Sequence, residues 1–131
     1  MKKGIVTIAF LGFLTLSGCH NNRSQVRKFK QMAEKTNQSC PTRMSETITL
    51  DSTTYNEKDN KVSYFYSVTG ELDNPTYMNT HYATFKQALQ DAVDNSVEME
   101  DYRKFSTSIS YIYYSGSNRK QLAEFSFNSP Q

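Results

Sequence analysis

Apolar residues recur every three or four positions in two parts of the chain, a spacing that places them on one face of a helix. In the first part the stripe consists of Val26, Phe29, Met32 and Ala33. Pro41 ends this pattern, because proline cannot continue a helix. The longer second stripe begins at Tyr82 and comprises Phe85, Leu89, Ala92 and Val93, with Val97 as its last candidate. The pattern therefore predicts two amphipathic helices.

Other segments alternate between apolar and polar residues, which is the period of a strand with one buried face. Segments 47–55 and 62–68 are joined by a polar turn at 57–60, and segments 107–114 and 122–127 by a turn at 115–118. Each pair is typical of a hairpin. A loop rich in helix breakers is predicted at 70–75, and residues 98–105 form a helical extension or a short separate turn.

The predicted order of elements is α-β-β-α-β-β, two helix-then-hairpin units in succession. Because two hairpins can pair without a parallel crossover, we expect an α+β fold with an antiparallel sheet of about four strands and the helices on one face. The sequence shows no internal repeat and no second domain, and 131 residues are enough for one hydrophobic core.

Aromatic residues are concentrated on these predicted strands. Four tyrosines share one alternating register, Tyr64, Tyr66, Tyr111 and Tyr113. If they face solvent, they form an amphipathic platform suited to proteins, peptides or sugars. If they pack inward, Phe65, Ile112 and Tyr114 remain on the other face as an apolar patch. We expect the inward arrangement, which makes Phe65, Ile112 and Tyr114 the predicted interaction surface.

The N-terminal segment has a different pattern from the rest of the chain. Lys2 and Lys3 precede an apolar run at 5–16, as in a secretory signal. The following Leu16-Ser17-Gly18-Cys19 resembles the lipobox of bacterial lipoproteins, in which two small residues precede a cysteine that is acylated and becomes the new N-terminus. The resemblance implies a signal peptide at 1–18, the lipidated Cys19 with a tether at 19–24, and a single domain at 25–131. An ordinary signal peptide or an uncleaved anchor is the alternative.

A lipobox also implies a location. Two or more acyl chains anchor a protein stably without further protein contacts, so the membrane is an expected partner. Cys19 is followed by His20 rather than aspartate, which in Gram-negative lipoproteins usually permits transfer to the outer membrane. We therefore expect a protein of the cell envelope, anchored in the outer membrane and facing the periplasm.

Short motifs of the remaining chain resemble a family of small exported bacterial proteins. They are Cys40-Pro41 after the first helix, Thr47-x-x-Leu50-Asp51, Tyr64-x-Tyr66, and the strand 109–114. Relatives often have a further cysteine near the end of the second helix, whereas residues 97–101 contain none, so the resemblance implies no bridge to Cys40. It also implies no particular activity.

Composition argues against most cofactor chemistry. The chain has two cysteines and two histidines, too few for a disulfide scaffold, a zinc cluster or an iron–sulfur site, so we predict no metal and no cofactor. Lys and Arg number 15 against 13 Asp and Glu; without Lys2 and Lys3 the two signs balance. A neutral domain has no electrostatic reason to bind nucleic acid, which we do not expect as a partner.

Candidate catalytic residues are few. Cys40, the thiol that remains after acylation, is either reactive or disulfide-forming, with a second chain as its partner, or it is a small buried hydrophobe. His81 could serve a hydrolase or lyase together with a carboxylate of the second helix, but no nucleophile-elbow motif accompanies it. We therefore assign no catalytic residue and expect a non-catalytic binding or protein-interaction module with an envelope protein as partner. The alternatives are an inhibitor or immunity-type lipoprotein, or a small hydrolase that uses His81.

Overall fold

The computed structural model describes residues 23–128. By internal contacts the chain divides into two compact units, Met1–Met32 and Ala33–Gln131. In the first unit the described residues, 23–32, are helical, and Phe29 is buried. Helical residues continue to 38 in the second unit, and we label the helical segment 23–38 α1. The predicted signal peptide, Cys19 and most of the predicted tether lie outside the described residues.

The remaining elements belong to the second unit. In chain order they are β1 (Thr42–Arg43), β2 (Ile48–Asn56), β3 (Lys61–Val68), α2 (Pro75–Thr80), α3 (Tyr82–Asn95), α4 (Glu100–Lys104), β4 (Ser108–Ser115) and β5 (Gln121–Phe127), with 3-10 turns at Gly70–Leu72 and Val97–Met99. The predicted helices and all four predicted strands are therefore present. Within the described residues, no helix is long and apolar enough to cross a membrane.

Helix α2 begins inside the segment predicted as a loop. The Asn74 side chain accepts hydrogen bonds from the backbone N–H groups of Thr76 and Tyr77, at 2.8 and 3.1 Å. Pro75 occupies the first turn, where a missing N–H costs nothing. Asn74-Pro75 is thus a helix start rather than a breaker, a signal that the loop prediction overlooked.

The sheet has five strands in the order β1-β2-β3-β4-β5, and its central pair is parallel. β3 and β4 pair in register from Lys61 opposite Ser108 to Val68 opposite Ser115, so the prediction of an antiparallel sheet is wrong. The reason lies at the far edge of β2. β1 pairs there, and the Asn37 side chain accepts from the Thr53 N–H and donates to the Thr53 carbonyl, at 2.8 and 2.9 Å. With that edge occupied, the second hairpin pairs with the free edge of β3. The strand that takes this place is β4 rather than β5, reached through the helical segment between β3 and β4, and it runs parallel to β3.

Helices α2, α3 and α4 lie on one face of the sheet, as predicted. α2 and α3 contact β5, and Tyr102 of α4 hydrogen-bonds Tyr64 of β3. We call this face the helix face. Its buried apolar strand residues are Leu50, Val62, Val68, Ile109, Tyr111, Ala123, Phe125 and Phe127, and Met78, Val93 and Tyr102 are the buried apolar residues of α2, α3 and α4.

The opposite face of the sheet is rich in hydroxyl groups. It carries Ser63, Phe65 and Ser67 from β3, Ser110, Ile112 and Tyr114 from β4, and Glu124 and Ser126 from β5. We call it the serine face. Strand alternation thus sends the four predicted tyrosines to the helix face and the predicted interaction residues to the serine face.

Candidate functional site

The three residues of the predicted interaction surface lie next to one another on the serine face. Phe65 is directly opposite Ile112 in the parallel register, and its ring stacks on that of Tyr114 with 6.4 Å between centroids and 23° between planes. Phe65 and Tyr114 are half-buried, while Ile112 is only 9% exposed. We call Phe65, Ile112 and Tyr114 the aromatic cluster. Ile112 is the least exposed of the three, so the two rings present most of the accessible surface of the cluster.

Polar groups surround the aromatic cluster. On the β2 side, Asp51 accepts a hydrogen bond from the Ser67 hydroxyl at 3.1 Å. On the β5 side, Glu124 accepts from the Ser126 hydroxyl at 3.3 Å, and that hydroxyl lies 3.2 Å from the hydroxyl of Ser110. An apolar centre with a hydroxyl-bearing rim is the arrangement of many protein-binding surfaces.

The charges of the serine face are unevenly placed. Asp51 and Glu124 lie on opposite sides of the aromatic cluster, on β2 and β5. The basic residues lie further away: Lys61 starts β3, four residues before Phe65, and so lies about 13 Å along the strand. Arg43 of β1 is two strands from β3 and donates to the Ser45 and Glu46 carbonyls. The immediate rim of the cluster is therefore acidic, which favours a partner that brings a basic group beside its apolar one.

The four tyrosines of the alternating register form a stacked row on the helix face. The Tyr64–Tyr111, Tyr111–Tyr66 and Tyr66–Tyr113 ring centroids are 5.4, 6.3 and 4.9 Å apart. Burial raises the pKa of Tyr111 and of Tyr113 to about 12, and it raises those of Tyr64 and Tyr66 further. Tyr111 is buried, and Tyr64, Tyr66 and Tyr113 are half-buried on the face that the helices cover, so the alternative of a solvent-facing tyrosine platform is wrong.

An apolar cavity of about 140 Å³ lies between the helix face and helices α2 and α3. Its lining residues come from three strands, two helices and the 3-10 turn at Gly70–Leu72: Ile48, Leu72, Met78, Phe85, Ala88, Leu89, Tyr113 and Phe125. The sequence predicted the apolar stripe of α3 but not the cavity. In the structure only Val93 of that stripe is buried; Phe85 and Leu89 are half-buried, and Ala92 and Val97 are exposed.

His81 lies between α2 and α3, packed against other rings rather than beside a carboxylate of α3. Its ring is 4.2 Å from that of Tyr77 and 6.1 Å from that of Phe85, centroid to centroid. Asp91 follows ten residues later in the same helical stretch, a rise of about 15 Å, and Asp91 accepts from Gln87 at 3.0 Å. The structure therefore brings no carboxylate of α3 to His81.

Among the described residues, no group of three or more His, Cys, Asp or Glu side chains is arranged to hold a metal ion. Cys40 is a free, half-buried thiol whose sulfur lies 3.3 Å from the Thr36 carbonyl oxygen, to which it donates.

Asp73 forms a contact that the sequence did not indicate. Its carboxylate accepts from the Ser117 backbone N–H at 3.2 Å, and hydrogen bonds from the Ser115 and Ser117 hydroxyls lower its pKa. Ser115 is fully buried, and its hydroxyl oxygen accepts from the N–H groups of Ser117 and Asn118. These bonds fix the turn that follows β4 and so hold the end of the strand that carries Tyr114.

Residues 23–123 match the model of a family described as "Domain of unknown function (DUF8479)". The chain belongs to the DUF8479 family. The match includes every residue of the aromatic cluster and all but Phe125 of the cavity lining, while the predicted lipobox precedes it. A search of curated proteins found no match.

The DUF8479 chain also resembles a solved structure. A protein from Pseudomonas aeruginosa, described as a putative secreted protein, superimposes with a TM-score of 0.70 over 82% of this chain and 92% of that one. The two sequences are 14% identical, so the likeness establishes a shared fold. A second protein with a very different sequence thus shares the fold of this DUF8479 member.

Proposed function

We propose that this DUF8479 member is an exported, lipid-anchored protein of the cell envelope that binds a partner protein without catalysis. The lipobox Leu16-Ser17-Gly18-Cys19 supports the anchor, and His20 supports placement at the outer membrane. The shared fold with a protein described as a putative secreted protein is consistent with export. The binding role rests on the serine face.

One observation carries the binding role: the rings of Phe65 and Tyr114 stack on each other beside Ile112, on a sheet face whose other residues are polar. Two half-buried rings on a sheet face expose an apolar surface whose burial against a partner is favourable, at about 25 cal/mol per Å². Aromatic rings also lose little conformational entropy on binding, which makes them effective contact residues.

The partner that fits this surface is an envelope protein with an apolar side chain flanked by a basic one. The apolar group would contact the rings of Phe65 and Tyr114, and the basic group would pair with Asp51 or Glu124 at the rim. Rim hydroxyls such as that of Ser67 can bond a partner backbone. A domain held near the membrane by its lipid would meet such a partner at high local concentration.

The anchor can be tested by metabolic labelling with palmitate. We expect Cys19→Ser to abolish both palmitate labelling and signal-peptide cleavage, so that the variant accumulates as the larger precursor that keeps residues 1–18. Cys40→Ser is the matched control, because it removes the chain's second cysteine from inside the domain and should leave labelling and cleavage unchanged. Palmitate incorporation into Cys19→Ser, or processing of that variant to the same size as the wild type, would refute the lipid anchor.

The binding surface can be tested with charged substitutions on the two accessible rings. Phe65→Glu and Tyr114→Glu should lower the amount of a cross-linked envelope partner at least tenfold while circular dichroism stays unchanged. Ile112, being 9% exposed, is left intact because a charge there would disturb packing. Val97→Glu, at an 83% exposed position outside the cluster, is the control. If all three variants and the wild type cross-link the same amount of the partner, the assignment of this surface as the binding site is wrong.

A further inference from the structure

We propose that the cavity between α2, α3 and the helix face is a binding site for one small uncharged apolar group, a single ring or a short alkyl chain. The site lies on the opposite side of the sheet from the aromatic cluster and is independent of the proposed protein-binding role. Its chemistry follows from what lines it.

The cavity walls have almost no polar atoms. Met78 and Phe125 are 2% and 0% exposed and form its deep part, and the ring of Tyr113 meets that of Phe125 edge-on, with 5.8 Å between centroids at 84°. Ile48, Leu72, Phe85 and Leu89 are half-buried around it. A buried water needs two to four polar partners, which these walls do not supply. The cavity therefore favours an apolar occupant over water.

The size of the cavity limits the occupant. Its volume, about 140 Å³, is close to that of apolar cavities known to bind one benzene, about 150 Å³. Sites for drug-sized ligands are larger, at roughly 300 Å³ or more. An occupant of about six carbon atoms fits, and a charged group does not, because no polar partner would compensate for its lost hydration.

Helix α3 provides a route into the cavity. Ala88, one of the lining residues, is exposed, so its small side chain lies where the cavity reaches the surface. A larger side chain at this position should obstruct the opening. Ala83, also exposed on α3 but absent from the lining, is a matched position for comparison.

Methionine methyl groups give a direct readout of occupancy. In protein labelled with ¹³C at methionine methyls, we expect benzene to cause a saturable shift of the Met78 signal, because Met78 lines the cavity. Met44, which is 58% exposed, serves as the internal control and should not shift. 1-Hexanol tests the alkyl form of the ligand, and benzoate tests whether a charge is excluded.

Ala88→Leu should weaken the response at Met78 at least tenfold, and Ala83→Leu should leave it unchanged. A saturable shift with benzene, with 1-hexanol or with both supports the site and identifies the shape it prefers. The absence of a saturable shift with either probe, an equal response in Ala88→Leu, or binding of benzoate as tight as that of benzene would overturn the proposal. None of these outcomes bears on the aromatic cluster, whose tests use the other face.

Discussion

Phe65 stacks on Tyr114, which lies two residues beyond its direct partner Ile112 on the neighbouring parallel strand. The parallel pairing of β3 and β4 thus places two rings from distant parts of the sequence side by side on the serine face. Their contact is diagonal across the pair, within reach of aromatic side chains. The proposed binding surface exists because of this pairing, and the stability of the pair is therefore the first property to test.

Gly116 follows β4 and contacts the last residue of β3. Its N–H donates to the Val68 carbonyl at 2.8 Å, and a Cβ added at Gly116 would lie 2.7 Å from that oxygen. We expect Gly116→Ala to lower the free energy of unfolding by about 1–3 kcal/mol, as measured by urea denaturation, because backbone must move to accept the methyl group. Wild-type stability in Gly116→Ala would show that the turn is not held closely against β3.

Tyr64 and Tyr102 connect the sheet to α4 through their hydroxyls. Burial is the main cause of the raised pKa of each, and the two hydroxyls share a hydrogen bond. Tyr102→Phe removes one partner of this bond and leaves the Tyr64 hydroxyl without it, which should cost about 1–3 kcal/mol. In a double-mutant cycle with Tyr64→Phe, the two losses should be less than additive. Full additivity would indicate that the hydroxyls do not interact.

Tyr113 makes stability sensitive to alkaline pH. Burial raises its folded-state pKa to about 12, above the ordinary value of 10.0, so its contribution is complete below pH 10. Between pH 10 and 12 the unfolded chain ionises while the folded one does not, and up to about 2 kcal/mol is lost. Tyr113→Phe should therefore show a smaller drop in unfolding free energy between pH 9 and 11.5. An identical drop in both proteins would contradict the buried position of the hydroxyl.

Alternation along the strands predicted much of this structure. It identified the strands and assigned Phe65, Ile112 and Tyr114 to the face opposite the helices, because side-chain direction depends on a period of two and not on which strand is the neighbour. The neighbour itself was not predictable from periodicity. The edge of β2 is closed by β1, two residues long, and by the Asn37 side chain, neither of which leaves a hydrophobic pattern in the sequence.

The cavity shows a second limit of sequence reasoning. The stripe of α3 predicted an apolar face, and the structure confirms the helix over Tyr82–Asn95. How completely that face is covered depends on residues distant in sequence, such as Ile48 and Leu72. The spacing of apolar residues within α3 cannot predict that these residues lie next to it. Asp73, which reaches the turn after β4 from 44 residues away, was missed for the same reason.

The central claim, that the aromatic cluster contacts a partner protein, is tested most directly by replacing Phe65 with a benzophenone-bearing residue in living cells. We predict a discrete light-dependent adduct that disappears when Tyr114→Glu is added and when excess soluble wild-type domain competes. The same probe at Phe105, which is 44% exposed and outside the cluster, should not form it. An adduct that forms equally from both positions, or that survives Tyr114→Glu, would contradict the claim.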